Sequence, residues 1–87
     1  MMQTAKLLAE AIEVARQLQY TVREEYLEGA GGGHCMFGGK KWLLLDVTQS
    51  VAEQLTDVVD ALRSEPAVWQ RSLSPALGQI LEVRKAA

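Results

Sequence analysis

A second cysteine is missing from this 87-residue chain, so Cys35 has no partner for an internal disulfide. A second histidine is missing as well. Any metal held at His34 or Cys35 would have to recruit carboxylates such as Glu24, Glu25 or Glu28, whereas structural zinc sites ordinarily take four ligands. No metal and no cofactor is expected. Nor is there an excess of positive charge: nine basic against eleven acidic side chains leave a net charge of −2. The pI near 5.3 withholds the broad positive field that nucleic-acid binding needs, and the pair Lys40-Lys41 is too short to restore it. The longest apolar run, Trp42 to Leu45, falls far short of the roughly 20 residues of a membrane span. No cationic start followed by an apolar stretch is found. Neither nucleic acid nor membrane is an expected partner, and a reducing cytoplasm is the expected location.

What is present is ordinary for a folded domain, with 48% hydrophobic and 23% charged residues. The length allows a single domain over 1–87 that buries roughly 60–65% of its unfolded surface. From Thr4 to Leu18, Leu8, Ala11, Ile12, Ala15 and Leu18 recur at three- and four-residue steps, predicting an amphipathic helix. "YTVREEYL" then reads as a strand with Tyr20 and Val22 on one side and Thr21 and Arg23 on the other. "HCMF" and "KWLLLDV" flank Gly38-Gly39, a hairpin signal, because a type I′ turn needs positive φ at both central residues. Counting back from the turn opposes Phe37 to Lys40, Met36 to Lys41 and Cys35 to Trp42.

A second helix is predicted over Val51 to Arg63, with Ser50 and Glu53 forming a capping box and Val51, Leu55, Val58, Val59 and Leu62 on one stripe. A short helical turn around Ala67 to Gln70 follows. Ser74 and Pro75 open a last helix with Leu77, Ile80 and Leu81 inward and a frayed "RKAA" tail. The predicted class is α+β, a three-stranded antiparallel sheet with three main helices in the order α-β-β-β-α-(short α)-α.

Six of the seven glycines lie between Gly29 and Gly39, and successive backbone N–H groups can cradle an anion. The known fingerprints do not fit: a P-loop ending at Lys40 would need glycine at His34 and Ser or Thr at Lys41. The dinucleotide pattern begun at Gly29 also fails at His34. The stretch reads as a flexible connector, with Gly31, Gly32, Gly33, His34 and Cys35 the candidates if it binds a ligand. His34 and Cys35 are neighbours on a strand and point to opposite faces, so they do not converge on one atom. Cys35 is expected to pack as a small hydrophobe shielded by Trp42. Glu24, Glu25 and Glu28 read as a solvated strand end.

The string from Leu18 to Leu62, with "GGGHCMFGGKKWLLLDV" at its centre, resembles a group of small bacterial proteins of unknown activity. They share a helix, a glycine-rich segment before a Cys, a G-K/R hairpin, an apolar strand ending in Asp, and an E-Q helix. A fainter likeness is to the zinc peptidases that cleave phage-repressor-type regulators, where such a hairpin leads into a helix carrying H-E-x-x-H. In that alignment Ala52, Glu53 and Thr56 hold the motif positions. The likeness implies a shared scaffold without the zinc histidines, and therefore without the catalysis.

Trp42, Leu43, Leu44 and Leu45 are apolar on both faces of one strand, and three single-striped helices can cover only one of them. The expected function is a non-enzymatic protein-interaction module, acting as a homodimer with Trp42, Leu44 and Met36 near its interface, for an unidentified protein partner. The alternative is a small enzyme or ligand-binding domain using the Gly29–Gly33 loop with His34 or Cys35.

Overall fold

The computed structural model describes the backbone of residues 2–86 and the side chains of residues 4–82. Helix α1 (Met2–Gln17) leads into β1 (Tyr20–Glu25), β2 (Gly33–Phe37) and β3 (Lys40–Asp46); α2 (Val51–Arg63), a 3₁₀ turn at Pro66–Gln70 and α3 (Pro75–Ala86) follow. The protein is α+β, with three helices, a three-stranded sheet and the expected order of elements. The "RKAA" tail, expected to fray, continues α3 as helix through Ala86, and Ala87 lies outside the described residues.

The sheet is mixed, which corrects the antiparallel expectation. Its strand order is β1-β3-β2; β3 pairs antiparallel with β2 and parallel with β1. The apolar content of β3 accounts for this arrangement. Leu43 and Leu45 are fully buried, so β3 belongs in the middle, while β2 carries four exposed residues and takes an edge. The loop after β1 turns the chain back, Gly38-Gly39 turns it again, and a strand inserted after two reversals runs parallel to the first. The hairpin itself matches its local signal: Gly38 and Gly39 have φ of 61° and 78°, and the pairs Phe37–Lys40, Met36–Lys41 and Cys35–Trp42 form as counted.

One layer of helices covers one face of the sheet. Helix α1 packs against β1, α2 against β2 and β3, and α3 against α1 and α2. The fully buried Ala11, Ala15 and Ala61 bring α1 and α2 together without bulky side chains between them, and Leu43, Leu45, Val58 and Leu62 fill the interior. Both halves of the capping box are made at the start of α2, with Glu53 N–H on Ser50 Oγ at 3.1 Å and Ser50 N–H on Glu53 Oε1 at 3.0 Å. Glu10 of α1 accepts from Ser74 N–H at 2.8 Å and Ser74 Oγ at 2.7 Å, tying the first helix to the N-cap of the last.

At one end of the sheet, Tyr20 OH and Lys41 Nζ both donate to Glu65 Oε2, at 3.3 and 3.1 Å, and Lys41 lies 4.8 Å from the Tyr20 ring centroid. Burial raises the Tyr20 pKa above its ordinary value of 10, with a hydrogen bond to Ser64 acting the other way. The cluster fastens β1 and β3 to the segment after α2.

Candidate interaction surface and the loop that frames it

Strand side chains alternate between faces, so the registers fix what lies on the side the helices leave open. Trp42 and Leu44 of β3 form its centre. Thr21 and Arg23 of β1 stand beside them on one flank, Cys35 and Gly33 of β2 on the other. The surface is a shallow groove of about 380 Å³ lined by Trp42, Leu44 and Cys35 together with Leu27, Phe37 and the pair Arg23 and Glu25. Arg23 and Glu25 face each other at 2.7 Å, so the charges at this rim are mutually compensated. Trp42 Nε1 donates to the Phe37 carbonyl at 3.3 Å, which satisfies the indole and leaves its ring half-buried.

Two expectations about this face change, and a third holds. Cys35 does lie opposite Trp42, yet the thiol is exposed: a cross-strand neighbour covers one flank, and among the described residues no strand lies on the other side of β2. Met36 pairs with Lys41, which puts it on the opposite face from Trp42 and Leu44; it is 68% exposed. His34 shares the Met36 side, edge-to-face with Tyr20 at 6.4 Å between ring centroids. His34 and Cys35 are therefore separated by the sheet, as strand geometry requires.

The glycine-rich loop has a definite task, centred on a residue that composition did not single out. Asp46, the last residue of β3, is fully buried. The chain leaves β1 beside Asp46, crosses the end of β3 and enters β2 at Gly33. On the way, the N–H groups of Leu27, Gly29 and Gly31 donate to the Asp46 carboxylate at 3.3, 2.9 and 3.1 Å. Thr48 adds its N–H at 2.9 Å and its hydroxyl at 2.6 Å. Gly29 and Gly31, with φ of 82° and 86°, let successive N–H groups turn toward one point. Burial raises the Asp46 pKa, but the hydrogen bonds from Thr48, Gly31 and Leu27 outweigh it and hold the group at about 2.

The loop thus forms the kind of N–H cradle that binds anions, and an internal carboxylate occupies it. Of the candidate ligand residues, Gly31 is committed to Asp46. Gly32 sits so close to β3 that a Cβ there would lie 2.0 Å from the Leu44 carbonyl oxygen. Gly33 opens β2, and His34 and Cys35 follow on opposite faces.

On α2, Glu53 is engaged with Ser50, and Thr56 Oγ1 donates to the Ala52 carbonyl at 3.1 Å. Among the described residues, no three His, Cys, Asp or Glu side chains gather as a possible metal set. Sequence reasoning missed Asp46, Arg23, Leu27 and Phe37, and read Glu25 only as part of a solvated strand end. The available signals were the run Asp46-Val47-Thr48, in which a side-chain oxygen can bond two residues onward, and the alternation that puts Phe37 beside Cys35. Compared with known proteins, the chain matches no family profile, no curated protein and no solved structure.

Proposed function

We propose that this chain is a non-enzymatic protein-interaction module that works as a homodimer through its uncovered sheet face and the neighbouring edge strand. The observation that carries this reading is the single helical layer: Leu43 and Leu45 are buried beneath it, whereas Trp42 and Leu44 on the other face remain only partly covered around an open groove. Phe37 adds an exposed aromatic ring to the same side, and Met36 an exposed thioether across the strand. Contiguous apolar surface of this kind is uncommon on monomers and marks contact surfaces. The charges at the rim are already paired with each other, and an apolar floor with a compensated rim suits protein contact.

The test is sedimentation of the purified chain at tens of micromolar, alone and as Leu44→Asp. The wild type should run as a dimer. Leu44→Asp should shift toward monomer while its far-UV circular dichroism retains the helices. A wild-type chain that stays monomeric in this range would overturn the reading.

A further inference from the structure

Among the described residues, strand β2 has β3 on one side and no strand on the other, which leaves a row of backbone groups at an open edge. The two-residue turn says which groups these are. Phe37 and Lys40 flank it and exchange their hydrogen bonds, and the pattern alternates from there, so Cys35 and Gly33 also bond inward to β3. The N–H and C=O groups of His34 and Met36 point outward.

The two edges of the sheet differ. β1 carries Arg23, Glu24 and Glu25, charges of the kind that protect an edge from pairing. β2, "GHCMF", has no Asp, Glu, Lys, Arg, Pro or bulge, and all but its first residue are exposed.

We infer that β2 pairs antiparallel with β2 of a second copy, joining the two sheets into one six-stranded sheet about a two-fold axis at Cys35. This rests on the homodimer reading and places the contact at the edge strand named there, with the uncovered face running across both copies. The register follows from the outward groups. Only registers that oppose His34 and Met36 to each other or to themselves can form the bonds, and a shift of two residues leaves one end of a five-residue strand unpaired. The register that pairs the whole strand sets His34 against Met36 of the partner, where both N–H···O bonds are exchanged. Cys35 then stands against its own copy in a non-hydrogen-bonded pair.

Side chains agree with this register. The partner's Phe37 stands opposite Gly33, which has no side chain, and Gly33 pairs with Leu44, so the ring settles over Gly33 at the edge of the groove. On the other face Met36 lies beside the partner's His34. No like charges are opposed, because β2 has none of the four charged residue types. Covering two strand edges together with two Phe37 and two Met36 side chains, 76% and 68% exposed in the single chain, buries on the order of 1,000 Å² in total, the lower end of specific interfaces.

The experiment is oxidative cross-linking combined with sedimentation. Cα atoms in a non-hydrogen-bonded antiparallel pair lie about 4.5 Å apart, within the range a disulfide spans. With diamide as oxidant, the two Cys35 sulfurs form the S–S bond and their hydrogens pass to the reagent. The wild type should cross-link at least about tenfold faster than Met36→Cys made in a Cys35→Ala background, whose sulfurs are displaced from the axis. Met36→Pro removes an outward N–H without touching the β3 ladder, so it should fold by circular dichroism and weaken dimerisation by about tenfold or more. A wild-type monomer would overturn both the homodimer reading and this geometry. A dimer that resists cross-linking at Cys35, or that Met36→Pro leaves unchanged, would overturn the edge pairing alone.

Discussion

Replacing Gly32 with alanine adds a single methyl group at the most crowded point of the backbone. The Cβ would lie 2.0 Å from the Leu44 carbonyl oxygen, 2.9 Å from its carbonyl carbon and 3.2 Å from the Leu45 Cα. All three atoms belong to the backbone of the central strand, which is held by ladders on both sides and cannot retreat. The loop must move instead, by about 1.4 Å or more, to reach ordinary contact distance. Such overpacking costs about 2–3 kcal/mol. Withdrawing the loop also draws Gly31 N–H away from Asp46, which adds to the loss. Against a total stability of about 4–13 kcal/mol for a domain of this length, the change is large.

Urea denaturation followed by circular dichroism should place the midpoint of Gly32→Ala lower by about 2 M, taking a slope near 1 kcal/mol/M. Gly78→Ala is the control. It lies in α3 with nothing within 4 Å of the added methyl, and should stabilise by about 0.5–1 kcal/mol. A Gly32→Ala protein with an unchanged midpoint would refute the close crossing of loop and strand.

Three further outcomes are expected. Asp46 is held at about 2 against its ordinary 3.8, so its stabilising contribution is fully present above pH 4 and disappears as pH falls through 2; acid unfolding of Asp46→Asn should lack that step, and the variant should already be less stable at neutral pH. Ser50→Ala removes the hydroxyl that accepts from Glu53 N–H and donates to Glu53 Oε1, leaves the Ser50 N–H bond to Glu53 in place, and should cost about 1 kcal/mol by thermal or urea unfolding. Cys35 is exposed in the single chain, so native labelling by a thiol reagent should be fast in dilute solution and slow as concentration drives association.

What the sequence determined by itself was local. The capping box places the start of α2 where it is observed because its partners are three residues apart. The glycine pair sets the hairpin and its register because only a left-handed turn closes two strands in two residues. The apolar stripe of each helix and the two-sided apolar character of β3 are likewise properties of short windows.

Only the tertiary structure decided where β1 lies and which way it runs beside β3. A parallel pair has no turn between its strands to announce it, and the ordering depends on which strand is buried on both sides. Asp46 belongs to the same class. Three of its hydrogen-bond donors come from residues 15 to 19 positions earlier, brought to it only once the loop crosses the end of β3. The exposure of Cys35 was decided there too, since a thiol opposite a Trp is sheltered only if another strand closes its other side, and β2 ended at the edge.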